Sequence, residues 1–87
     1  MYAIKLTKQA MKDREKLRQA GLLAKAKNLV DLMKENPFQN PPPYEKLTGE
    51  LKNYYSRRIN RQHRLVYKVH EDKKIVAIHS MWSHYEF

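Results

Sequence analysis

The fold of this chain is decided by residues 54–67, which read YYSRRINRQHRLVY. Two β-prone runs of aromatic, apolar and basic residues flank a polar turn at residues 60–62. This arrangement predicts two neighbouring strands of a β-sheet. The arginines and tyrosines of the segment are then held side by side on a rigid surface, where they can act together.

Side-chain alternation along these two strands predicts which residues share a face. Ile59 and Tyr55 are apolar and face the core, which leaves Arg58 on the other face of the first strand. Tyr67 faces the core from the second strand, which leaves Arg64 opposite. Two guanidinium groups on one open face can hold the oxygens of a single phosphate through forked hydrogen bonds. The alternative is that both are ordinary solvated surface arginines.

The remaining patterns predict a two-layer α+β fold. An N-terminal strand and an αα-hairpin pack on a mainly antiparallel, twisted sheet. Thr7 is the expected N-cap of the first helix and Gly21 its stop signal. We predict helices at residues 7–20 and 22–35, and strands at residues 2–6, 45–47, 54–59, 63–69 and 73–81.

A proline-rich connector, residues 37–43, joins the second helix to the sheet. Pro41-Pro42-Pro43 favours a polyproline II conformation, so we expect a stiff link. A ligand for a proline-binding domain is the less favoured interpretation of the same segment.

Length and charge predict one small domain, residues 1–87, with a polyanionic partner. The formal net charge is +9, which suits nucleic acid or an acidic peptide; a merely soluble basic protein is the alternative. The chain has no cysteine, so disulfides and cysteine metal sites are excluded. Neither a signal peptide nor a membrane span is visible, and a cytoplasmic protein is therefore expected.

Acid–base groups lie near both ends of the predicted sheet. Cleavage of RNA by its own 2′-hydroxyl needs a base, an acid and a cation that stabilises the charged phosphorane. Glu45 and His84 could supply the carboxylate and the imidazole, although a surface carboxylate and a flexible tail are the simpler interpretations. No His, Asp and Glu have the spacing of metal ligands, so neither a metal nor another cofactor is expected.

Aromatic side chains could bind splayed RNA bases by stacking. Tyr54 and Tyr85 are candidates for this role, whereas Trp82 could equally belong to the core. Arg57 falls on the core side by parity, and we expect it to extend to solvent at the sheet edge. His63 also points to the core and is expected to be structural.

Taken together, these residues resemble the YoeB/Txe branch of the RelE-like bacterial toxins, which are mRNA-cutting endonucleases of type II toxin–antitoxin systems. The resemblance covers essentially the whole chain, and each fragment is weak alone while the ordered set is specific. The matching motifs are Tyr44-Glu45-Lys46-Leu47, Tyr55-Ser56-Arg57-Arg58-Ile59, His63-Arg64-Leu65-Val66-Tyr67 and Trp82-Ser83-His84-Tyr85.

The resemblance implies a microbial-ribonuclease-like fold and cleavage of mRNA in the ribosomal A site. It implies that Glu45 is the general base and His84 the general acid. Arg64 would stabilise the phosphate in the transition state with Arg58 beside it, and Tyr85 would orient or stack the substrate.

The chain departs from the family pattern at two places. Thr48 stands where the family often has a lysine, and Lys46 or Lys52 would have to replace that phosphate contact. Glu86 and Phe87 follow the His-Tyr pair that commonly ends the chain.

The resemblance also implies an acidic antitoxin whose C-terminal segment covers the basic site. Toxin dimers occur in the family, but the sequence does not establish whether this chain forms one. A protein that binds RNA or the ribosome and blocks translation without cutting would have the same charge and aromatics, and is the alternative function.

Overall fold

The computed structural model describes residues 1–83, in which two helices pack on a five-stranded sheet. Its elements are β1 Ala3–Leu6, α1 Lys8–Gln19, α2 Leu23–Glu35, β2 Glu45–Lys46, a 3₁₀ helix Gly49–Leu51, β3 Tyr55–Arg58, β4 Arg64–His70 and β5 Ile75–Ser83. The strand order is β1-β5-β4-β3-β2, with β1 parallel to β5 and the other pairs antiparallel. The predicted two-layer α+β fold is confirmed, and most element bounds differ from the prediction by one or two residues.

Helix α1 begins and ends at the residues that the sequence marks. The Thr7 hydroxyl accepts a hydrogen bond from the Ala10 amide at 3.1 Å, which satisfies one of the unpaired amides of the first turn. After Ala20, Gly21 has φ +73, a left-handed conformation that glycine adopts without steric cost. The amide of Leu22 then donates to the Leu17 carbonyl at 2.8 Å, which completes a Schellman turn.

The core lies between the helices and the sheet. Apolar residues at helical spacing on α1 and α2 meet alternate residues of β4 and β5, as the two periodicities require. Fully buried side chains in this layer include Leu17, Met33, Leu65, Tyr67, Val76 and Ile78. Within residues 1–83, neither helix combines the length and apolar character needed to cross a membrane.

The proline-rich connector does not form the predicted polyproline II helix. The Asn40–Pro41 and Pro41–Pro42 peptide bonds are cis. A polyproline II helix leaves its backbone in solvent, whereas the carbonyl groups of Pro37, Gln39 and Pro42 accept hydrogen bonds from a buried side chain. The chain between α2 and β2 is instead irregular, and its carbonyl groups turn towards the protein interior.

Strand β5 changes register twice against β4, which the sequence does not predict. The paired residues are Tyr67 with Ile78, Val66 with Ser80, and Arg64 with Ser83. Each shift adds a residue to β5 relative to β4, which is the pattern of a β-bulge. At the second shift the Met81 amide donates to the Asp13 carboxylate at 2.9 Å, so α1 holds the irregular part of the strand.

Candidate functional site

Strand pairing brings four polar side chains to one face of the sheet. Glu45 on β2 pairs with Ser56 on β3, and Arg58 on β3 pairs with Arg64 on β4. Directly paired residues share a face, and so do residues two apart in one strand. The predicted pairing of the two arginines on one face is therefore confirmed. Ser56 shares that face by the same alternation, and the register adds Glu45 to it.

These side chains line a cleft on the part of the sheet formed by β2, β3 and β4, towards the edge opposite to β1. Its volume is about 280 Å³, and its lining residues are Pro43, Tyr44, Glu45, Ser56, Arg58 and Arg64. Inside the cleft, Arg64 Nη1 lies 3.4 Å from Glu45 Oε2 and donates a hydrogen bond to the Ser56 hydroxyl at 3.1 Å. One guanidinium therefore links the edge strand β2 to the central part of the sheet.

The cleft combines a fixed cation with an accessible carboxylate. The Arg64 side chain is 15% exposed, whereas Glu45 is 56% exposed, so the ion pair has one anchored and one solvated member. Arg58 is exposed beside them. Such a site can bind an anion against the two guanidinium groups while a carboxylate faces the bound group. Within residues 1–83, no three His, Asp or Glu side chains are close enough to hold a metal ion.

The predicted open face is covered more than parity suggests. Ser56 and Val66 both lie on it, yet both are fully buried. Arg64 contributes to the burial of Ser56, because its longer side chain reaches the Ser56 hydroxyl and donates a hydrogen bond to it. Parity fixes the direction in which a side chain leaves a strand, but not whether a longer neighbour folds over it.

The register shifts in β5 set the end of the described chain against the cleft. Ser83 pairs with Arg64, and Arg64 in turn pairs with Arg58. His84 and Tyr85, the predicted acid and substrate-orienting residue, lie outside the described residues. Ser83, the residue immediately before them, nevertheless lies opposite Arg64 in the sheet.

The two lysines proposed to replace the missing family lysine do not line the cleft. Lys46 pairs with Tyr55, so its side chain leaves β2 on the face opposite to Glu45. Lys52 is exposed at the end of the 3₁₀ helix. Neither lysine is among the residues that line the cleft, and the replacement of the family lysine stays a prediction.

The predicted stacking residues have different surroundings. Tyr54 is half-buried, and its ring contacts His79 at a centroid distance of 5.3 Å while Lys68 Nζ lies 5.6 Å from its centroid. Trp82 packs against the core and stacks on His63 at 3.9 Å, which favours its structural interpretation. His63 is buried, as parity predicts.

Arg57 is the residue that sequence reasoning placed wrongly. It was expected to extend to solvent, but its side chain is fully buried and donates to the carbonyl oxygens of Pro37, Gln39 and Pro42. Parity indicated the core side correctly. The missing signal was an acceptor: the carbonyl groups of an irregular proline-rich segment can satisfy a buried guanidinium, and no sequence pattern reveals where they point.

Comparison with known proteins assigns the family. A family model described as the YoeB-like toxin of bacterial type II toxin–antitoxin systems matches residues 6–85. The chain belongs to the YoeB toxin family. Toxin RelK of Mycobacterium tuberculosis is 42% identical to this YoeB-family chain over 45 residues, which are 52% of this chain and 53% of RelK. The match thus spans about half the length of that curated relative.

Solved structures extend the likeness of this YoeB-family chain over nearly its whole length. A YoeB/ParE toxin from Agrobacterium tumefaciens superposes with a TM-score of 0.86 at 28% identity, covering 95% of this chain and 99% of that one. YoeB of Staphylococcus aureus in a heterotetrameric complex with the YefM antitoxin gives 0.80 at 33% identity, covering 98% and 99%. The S. aureus YoeB has also been solved as a dimer. This chain is therefore a YoeB-type toxin with the RelE-like fold.

Proposed function

We propose that this toxin is a metal-independent endoribonuclease that cuts mRNA in the ribosomal A site and so inhibits translation in the cytoplasm. The observation that supports this most is the cleft in which Glu45 lies 3.4 Å from Arg64, with Arg58 paired beside it. A carboxylate and a guanidinium group at this separation, with a second guanidinium beside them, suit a phosphodiester whose neighbouring hydroxyl must lose a proton.

In the proposed reaction the 2′-oxygen of the substrate attacks the adjacent phosphorus, and the bond from phosphorus to the 5′-oxygen breaks. Glu45 takes the proton of the 2′-hydroxyl. Arg64 and Arg58 bind the non-bridging oxygens, where negative charge develops in the transition state. The products are a 2′,3′-cyclic phosphate and a free 5′-hydroxyl.

The departing 5′-oxygen needs a proton, and we assign its delivery to His84. The assignment is supported by the connectivity of the chain. The backbone of Ser83 pairs with Arg64, and His84 is the next residue, one Cα–Cα step of about 3.8 Å further along. We assign Tyr85 to orienting or stacking the substrate base, and Tyr54 to a further stacking contact on the cleft face.

The net positive charge of the chain supports an acidic antitoxin as its partner. The net charge of +9 attracts RNA and acidic peptides alike, so an acidic antitoxin segment would compete with mRNA for the arginine cleft. The S. aureus relative is solved with its YefM antitoxin, in agreement with a partner of this class.

The acid–base assignment predicts the effect of Glu45→Gln. This change keeps the shape of the side chain and removes its basicity, so cleavage of mRNA on programmed ribosomes should slow by about 10²–10⁴-fold. His84→Gln should have an effect of the same order. Primer extension on the mRNA, under single-turnover conditions, measures both. Glu50→Gln is the matched control, because Glu50 is an exposed carboxylate of the 3₁₀ helix outside the cleft, and should cut at the wild-type rate.

Wild-type cleavage by Glu45→Gln would contradict the proposal. If the wild-type toxin blocks translation while the mRNA stays intact, the non-cleaving alternative replaces it. Equal cleavage of free and ribosome-bound RNA would keep the chemistry but remove the requirement for the ribosome.

A further inference from the structure

Arg57 makes an unusual set of contacts for a charged side chain. It is fully buried, and its Nη1 donates to the Pro42 carbonyl at 2.7 Å while Nη2 donates to the carbonyls of Pro37 and Gln39 at 3.0 and 2.8 Å. Among the ion pairs of residues 1–83, none involves Arg57. A buried guanidinium is therefore balanced by backbone dipoles of the connector rather than by a carboxylate.

Aromatic rings complete the surroundings of this guanidinium. Its central carbon lies 5.0 Å from the ring centroid of Tyr44 and 6.0 Å from that of Tyr67. Tyr67 also donates its hydroxyl to the Pro37 carbonyl at 2.8 Å. Cation–π attraction strengthens when the pair is removed from water, so these rings add to the hold on the connector.

The connector held in this way leads directly into the cleft. Pro43, Tyr44 and Glu45 follow the last clamped carbonyl and form one wall of the site. Strand β2 has only two residues and lies at the edge of the sheet, so its ladder does little to fix Glu45. Arg58, the next residue after Arg57, faces the cleft from the opposite side of the same strand.

We propose that Arg57 is a positioning residue for Glu45: by binding the connector carbonyls, it holds the carboxylate wall at its distance from Arg58 and Arg64. This inference rests on the proposed function. Arg57 does not touch the substrate; it acts only through Glu45. One pair of adjacent arginines thus has two tasks, since Arg58 faces the bound anion and Arg57 fixes the group opposite it.

A double-mutant cycle between Arg57→Lys and Glu45→Gln tests the coupling. Lysine keeps the charge but cannot reach three carbonyl groups with a planar fork. Because misplacement of a catalytic group by about 1 Å can cost on the order of 100-fold in rate, Arg57→Lys should slow single-turnover cleavage at least roughly tenfold. In the Glu45→Gln background the same change should cost less than about twofold, because the group it positions has already lost its function.

Binding and folding are measured on the same proteins. Affinity for mRNA-programmed ribosomes should change less than about twofold in Arg57→Lys, because the arginines of the cleft are intact. Arg18→Lys is the control for the exchange itself, since Arg18 is exposed on α1, and should cut like wild type. Should Arg57→Lys not fold, Pro43→Gly loosens the same wall at an exposed position. It should slow cleavage when Glu45 is present and leave the rate unchanged in the Glu45→Gln background.

Equal losses in both backgrounds would overturn the inference and leave Arg57 with a purely structural role. Wild-type cleavage by Glu45→Gln alone would instead remove the general base, and the proposed function would fail together with this inference. The two failures are thereby distinguishable.

Discussion

Replacing Tyr67 by phenylalanine should lower the free energy of unfolding at neutral pH and raise it at alkaline pH. Tyr67 is fully buried, and burial raises the pKa of its hydroxyl to about 12, against an opposing effect of the Arg57 charge. In the unfolded chain the pKa is 10.0. Between pH 10 and 12 the folded protein therefore keeps a proton that the unfolded chain loses. The contribution of the protonated Tyr67 to the free energy of unfolding is complete below pH 10 and is lost as the pH rises towards 12.

The size of the effect follows from the two pKa values. A difference of two units corresponds to about 2.7 kcal/mol of unfolding free energy, all of it lost above pH 12. At pH 7 the variant loses only the 2.8 Å hydrogen bond to the Pro37 carbonyl, which still accepts from Arg57. That loss is about 1 kcal/mol. Wild type should be the more stable protein at pH 7, and the variant should become the more stable one above about pH 10 to 11.

Urea unfolding of both proteins from pH 8 to 12 measures the difference directly. The other tyrosines and the lysines titrate in both proteins, so their effects cancel when the two free energies are subtracted. Ile78→Val is the matched control, because it removes a buried methylene without a titratable group and should cost about 0.5–1.5 kcal/mol at every pH. A wild-type-minus-variant difference that stays constant over this range would refute the reasoning.

Two further predictions concern hydrogen bonds that hold α1 against the sheet. Thr7→Ala removes the N-cap bond and the donation from the Thr7 hydroxyl to the carbonyl of residue 79, and should lower the unfolding free energy by about 1–2 kcal/mol in urea at pH 7. Thr48→Ala, at an exposed threonine that makes no capping bond, should change it by less than about 0.5 kcal/mol, and equal losses would contradict the cap. Asp13→Ala leaves the buried Met81 amide without its acceptor and should cost about 1–3 kcal/mol by the same measurement. Asp31→Ala, at an exposed position of α2, should cost less, and an equal loss would show that the buried acceptor contributes nothing.

Local rules predict the paired arginines well. Alternation has a period of two, and Leu65 and Tyr67 fix its phase on β4, so Arg64 had to face away from the core. The turn at residues 60–62 then sets Arg58 opposite Arg64. The bounds of helix α1 could be predicted equally well, because Thr7 and Gly21 are residues with strong preferences for the start and the end of a helix.

The contacts that complete the site depend on information that local rules do not contain. The burial of Arg57 requires carbonyl groups of the connector, whose direction follows from an irregular backbone. The position of Ser83 opposite Arg64 requires two register shifts, and a bulge leaves no reliable mark in the residues that form it. Lys46 leaves β2 on the face opposite to Glu45 because of the way this two-residue strand pairs with β3. The sequence indicates so short a strand only roughly.

The pairing of β1 with β5 has a consequence for how the protein is made. β1 is an edge strand whose neighbour in the sheet is β5, and Ala3 pairs with Ile75. Synthesis proceeds from the N-terminus, and contacts between distant parts of a chain form late. A growing polypeptide therefore carries β1 without its partner strand until Ile75 and the residues after it have been made. Because β5 lies between β1 and β4, an interrupted product that stops before Ile75 has no strand to join β1 to the rest of the sheet.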